Sequence, residues 1–72
     1  MTASKTYRVG YAAVVGGWRV TWRLVSARSM LNFVDGPIIP NGEAAELAAG
    51  YFKTGLEFAG YKTTPGLEVY PT

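Results

Sequence analysis

Seventy-two residues, 49% of them hydrophobic and ten of them aromatic, suit a single domain (1–72) near the lower size limit for an unaided hydrophobic core. With no cysteine and no histidine, the chain has no disulfide, no thiolate metal ligand and none of the commonest general base. The net charge of +2 hides a division: residues 1–34 carry Lys5, Arg8, Arg19, Arg23 and Arg28 with no acid, while residues 35–72 carry Asp35, Glu43, Glu46, Glu57 and Glu68 against Lys53 and Lys62.

Tyr7 to Val15 and Trp18 to Val25 are two β-rich runs separated by Gly16-Gly17, a pair that accepts the positive φ values of a tight hairpin turn. With these glycines as the loop, Val15 faces Trp18, Ala13 faces Val20, Tyr11 faces Trp22 and Val9 faces Leu24. That face is apolar and aromatic. The other pairs Val14 with Arg19, Ala12 with Thr21, Gly10 with Arg23 and Arg8 with Val25, so it carries three arginines. A slip of one residue would invert a strand and bury Arg19 and Arg23 without partners. The apolar run from Val9 to Val15 also imitates the centre of a signal peptide, but Gly16-Gly17 interrupts it and Arg19 follows. No run approaches the roughly 18–20 apolar residues that span a bilayer, and a cytoplasmic location is expected.

Ser29 to Val34 reads as a third strand, closed by the turn signal Asp35-Gly36; Pro37 and Pro40 then keep the chain out of regular pairing. Asn41 is a good helix N-cap, with Glu43 and Glu46 near the positive end of the helix dipole. From 43 to 59 the period becomes helical. Glu43, Glu46, Gly50, Lys53 and Glu57 form one polar stripe, and apolar residues, many of them alanine, cover the rest. Gly60 is a natural stop. Tyr61 to Thr64 leads as a short strand to Pro65-Gly66, which suits a type II turn, and Leu67 to Tyr70 reads as the last strand. The expected fold is α+β: an antiparallel sheet of three or four strands, order β-β-(β)-α-β, with one helix (43–59) packed on one face.

The chemistry points away from catalysis. Hydrolytic triads and thiol mechanisms need residues the chain does not contain. Glu43 and Glu46 stand one turn apart in the first turn of the helix, where acids serve the dipole and solubility. No enzyme activity, cofactor or metal is expected. Trp18 and Trp22 share the apolar hairpin face and are expected largely buried beneath the helix; a base-stacking platform would need that face exposed. The arginine face is either a solvated surface or a contact for an acidic protein patch or nucleic-acid phosphates.

Trp18 through Ala49, with a Trp-Arg-Val strand, a further strand and a Glu-Ala-Ala-x-x-Ala-Ala helix, resembles AP2-like DNA-binding domains and similar domains on phage integrases. In these, three antiparallel strands read the major groove and a helix braces the back. The resemblance implies that Arg8, Arg19 and Arg23 face the groove while Trp18 and Trp22 lie on the helix side. The chain departs from that pattern in lacking the dense arginine and tryptophan of the second and third strands. In size and hairpin-plus-helix layout it is also similar to small phage-encoded inhibitors, including some anti-CRISPR proteins.

The candidate binding residues are thus Arg8, Arg19, Arg23 and Arg28. Leu47, Tyr51 and Phe58 are the candidate apolar interface, because a helix apolar over most of its circumference has surface left after the sheet is covered. The expected function is a non-catalytic macromolecular binding module, such as a phage or mobile-element inhibitor occupying an acidic surface on a partner protein. A DNA-binding domain using the arginine face is the alternative, since an acidic back makes the chain less basic than most autonomous DNA binders. A structural oligomer subunit comes third, and a homodimer is compatible with each.

Overall fold

The computed structural model describes residues 5–26 and 30–71. Its elements are β1 (Thr6–Val14), β2 (Gly17–Leu24), β3 (Asn32–Phe33), α1 (Gly42–Phe58), β4 (Lys62–Thr63) and β5 (Glu68–Tyr70). The architecture is α+β, a sheet of several strands with one helix across it. The strand order is β3-β2-β1-β4, and β5 pairs with β1 beyond β4 on the same edge.

Pairing is antiparallel from β1 through β3, whereas β4 and β5 run parallel to β1, so the sheet is mixed. Chain direction explains this. Two antiparallel steps leave β3 running the way β1 runs, and a helix that crosses the sheet returns the chain to the end where β3 began. The next strands must therefore repeat that direction.

The hairpin keeps the expected faces but shifts the expected register by two residues: Arg8 pairs with Arg23, Val9 with Trp22, Tyr11 with Val20, and Val14 with Gly17. The loop is Val15-Gly16, with Gly16 at φ +91° supplying the positive value. Gly17 is taken into β2 because the chain returns beside it. Trp18 and Ile39 exchange backbone hydrogen bonds of 2.8 Å in both directions, and a Cβ on Gly17 would lie 2.2 Å from the Ile39 carbonyl oxygen. Only a residue without a side chain admits that approach. Because the shift is even, every side chain stays on its face.

Asn41 caps α1 as its sequence suggests, its Oδ1 accepting the Ala44 N–H at 2.8 Å. At the other end the Gly60 N–H donates to the Glu57 carbonyl and the Tyr61 N–H to the Leu56 carbonyl, each at 3.0 Å, with Gly60 at φ +97°. This is a Schellman closure, which satisfies carbonyls the helix leaves open. Ala45 and Ala49 are fully buried, and the small side chain of Ala49 brings the helix down onto Val9 and Val20; Tyr11, Ile39, Phe52, Leu56 and Leu67 pack around that centre. Trp18 and Trp22 lie on the helix side of the hairpin and are partly buried there. The Trp18 indole sits against Gly42 and edge-on to Tyr11, and Trp22 meets the Tyr7 ring at 5.5 Å. Among the described residues no helix is long and apolar enough to cross a membrane.

Candidate functional site

The face of the sheet opposite the helix carries Arg8, Gly10, Ala12, Arg19, Thr21 and Arg23 from the hairpin. The register sets Arg8 directly across from Arg23, two like charges at one rung. What makes this tolerable comes from the other end of the chain. β5 pairs Gly10 with Glu68 and Ala12 with Tyr70, which puts the carboxylate and the phenol on the arginine side. A Cβ on Gly10 would fall 2.0 Å from the Glu68 carbonyl oxygen, so this pairing depends on glycine.

Arg23 uses two nitrogens on the carboxylate, Nε donating to Oε1 at 3.2 Å and Nη2 to Oε2 at 2.9 Å. Nε also reaches the Tyr70 hydroxyl at 3.3 Å, and that hydroxyl donates to Glu68 Oε1 at 2.5 Å. Arg8 Nη1 stands 3.9 Å from Glu68 Oε2. Burial alone would raise the Glu68 carboxyl. The hydrogen bonds from Tyr70 and Arg23, with the charges of Arg23 and Arg8, outweigh it and hold the group below the usual glutamate range. Burial first, and then the bond to Glu68, pushes the Tyr70 phenol up, so it stays protonated as a donor.

Arg19 turns away to the β2–β3 edge. Its Nη2 donates to the Val34 carbonyl at 3.2 Å and its guanidinium lies 5.6 Å from the centre of the Phe33 ring. Its Nε is buried with no acceptor among the described residues, as is the hydroxyl of Thr21, which is only 1% exposed. The three arginines share one sheet face, as the alternation suggests, but they do not act as one row. Arg23 meets Glu68 and Tyr70, Arg8 approaches Glu68, and Arg19 is held separately by Phe33 and Val34. Arg28 lies outside the described residues. Alternation in the last strand could have placed Glu68 and Tyr70 on one face; nothing in the sequence names the strand they would join.

The outer face of α1 is different. Leu47, Tyr51 and Phe58 are 64%, 76% and 89% exposed, and at a turn of about 100° per residue they fall on one stripe. Beside it runs a groove lined by Leu47, Gly50, Tyr51, Thr54 and Leu67, with Glu43 and Glu46 at one end. Nothing lies within 4 Å of the position a Cβ on Gly50 would take, so no internal packing demands glycine there. The polar flank is tied back to the fold: Lys53 Nζ lies 3.5 Å from Glu57 Oε2, and the Thr63 hydroxyl donates to the same carboxylate. That hydroxyl bond is the main reason the Glu57 carboxyl is lowered.

Comparison with protein-family models, with curated proteins and with solved structures finds no match to this chain.

Proposed function

We propose that this chain is a non-catalytic binding module that works in the cytoplasm by occupying the surface of a partner protein, and that the outer face of α1 makes the contact. The observation that supports this is the exposed stripe of Leu47, Tyr51 and Phe58 on a well-capped helix. Large apolar side chains held in one row on a rigid element suit helix-to-groove docking, and tyrosine is enriched among residues that dominate binding energy. The arginine face has less to offer an acidic partner or DNA than its sequence suggests, because Glu68 takes up Arg23 and part of the charge of Arg8. Occupying a partner's surface is also how a small inhibitor encoded by a phage or mobile element would act, the class that the layout resembles.

Affinity capture from a host lysate, read by mass spectrometry, tests this with three baits: the wild type, a Leu47→Ser, Tyr51→Ser variant and an Arg8→Glu, Arg19→Glu variant. The reading expects one protein retained by the wild type and the arginine variant and lost by the helix variant, all three baits being folded by circular dichroism. Loss with the arginine variant and retention by the helix variant would overturn it. The common face of Arg8, Arg19 and Arg23 supports a second reading, DNA binding. It requires duplex affinity that falls with salt by about 0.9 in logarithmic slope per phosphate contact, and that flattens in the arginine variant.

A further inference from the structure

The groove on the outer side of α1 owes its shape to a missing side chain. Gly50 lines it together with Leu47, Tyr51, Thr54 and Leu67. The helix surface is notched at Gly50, and no packed neighbour among the described residues lies within 4 Å of the position its Cβ would take. The groove encloses about 720 Å³, room for more than one large side chain. From Leu47 to Phe58 the exposed apolar row runs about 16 Å along the helix axis.

The charges decide what fits there. Both charged residues that line the groove are acids, Glu43 and Glu46, and neither forms an ion pair among the described residues. The one lysine of the helix, Lys53, is turned to Glu57, and the last turn carries no basic residue. A second copy of the chain is therefore a poor occupant. Set antiparallel, two copies of α1 would bring Glu43 and Glu46 beside a last turn that holds Glu57 and no cation. Set parallel, they would align acid with acid.

We infer that the partner presents a basic amphipathic helix. It lies along α1 with its apolar side against Leu47, Tyr51 and Phe58, one large side chain in the notch at Gly50, and lysine or arginine beside Glu43 and Glu46. The occupant is a helix because the apolar row runs along one, and helix surfaces mate ridge into groove. The inference rests on α1 being the contact face and adds the sign of the partner, basic where the arginine face would require an acidic one.

Amide NMR of the folded chain at physiological salt tests it with two helical peptides of roughly 18 residues. Both carry leucine at every third and fourth position; one has lysine and the other glutamate at the remaining positions. Saturable shifts at Leu47, Gly50 and Thr54 are expected with the lysine peptide, and the glutamate peptide should bind there about fivefold more weakly, the worth of two exposed ion pairs. Glu43→Gln with Glu46→Gln should remove that preference. Gly50→Leu fills the notch without crowding the fold and should weaken the lysine peptide about tenfold. Equal binding of the two peptides, Gly50→Leu without effect, or lysine-peptide binding that survives Leu47→Ser with Tyr51→Ser would overturn the inference. So would no shift on α1 with either peptide, or a dimer in sedimentation that the Leu47→Ser, Tyr51→Ser variant abolishes. None of these results decides whether α1 is the contact face for a partner, which is judged separately by capture with the Leu47→Ser, Tyr51→Ser bait.

Discussion

The two faces of the β1–β2 hairpin are built from alternate residues of the same two strands, and each is closed by a different physical means. On one face Val9 and Val20 meet Ala49 of the helix, and apolar burial does the work. On the other, Arg8 and Arg23 meet Glu68 and Tyr70 at partial exposure, and hydrogen bonding between opposite charges does it. A charged sheet face is therefore not a free one. Its charges can be taken up by a strand from the far end of the chain, and the uncommitted surface then lies on the outside of the helix that covers the apolar face.

The largest effect on this contrast should come from Gly10. Gly10→Val sets a side chain against the Glu68 carbonyl and should lift β5 from β1, at a cost of about 3 kcal/mol, the upper part of the range for overpacking. Chemical denaturation followed by tryptophan fluorescence would measure it, and an unchanged midpoint would mean that β5 does not close the arginine face. Thr21 sharpens the comparison in the opposite direction. Its buried hydroxyl has no partner among the described residues, so Thr21→Val should stabilise the fold by about 1 kcal/mol; a loss of stability would reveal a bond from that hydroxyl.

Acid should act on the polar face first. The Glu68 carboxyl is lowered in the folded chain, so its contribution is fully present above the ordinary glutamate range and is lost as pH falls through the lowered folded value. Thermal melts at descending pH should therefore show a loss that Glu68→Gln, already weaker at neutral pH, shows less. Equal acid sensitivity of the two proteins would remove Glu68 from the account. The smallest effect belongs to the outer helix face: Leu47→Ser with Tyr51→Ser should change stability by no more than about 0.5 kcal/mol, as exposed substitutions do. A larger loss in denaturation would show that these side chains serve the fold rather than a partner.

Side-chain faces were legible in the sequence because alternation in a strand and the three-to-four step in a helix depend only on neighbours along the chain. The helix ends were legible for the same reason, Asn41 and Gly60 being local devices. Whatever depended on distant segments was not. The Gly16-Gly17 pair reads as a turn, and only the return of Ile39 beside Trp18 shows why Gly17 belongs to the strand. Ser29 to Val34 reads as a full strand, but the described pairing is limited to Asn32–Phe33 and the Val34 N–H. The parallel docking of β4 and β5 has no local signal either, because short edge strands after a helix carry no mark of which neighbour they join. Hence Leu47, Tyr51 and Phe58 stand exposed as their helical spacing suggests, while Arg8 and Arg23 do not stand free as strand alternation suggests.

The central claim is that Glu68 closes the arginine face, and an NMR titration of the Glu68 side-chain carboxyl in the wild type and in Arg23→Gln addresses it most directly. The account predicts a wild-type midpoint below the ordinary glutamate range that moves upward when Arg23 is replaced. A carboxyl that titrates in the ordinary range, unmoved by the loss of Arg23, would contradict it and return the arginines to the surface as free charges.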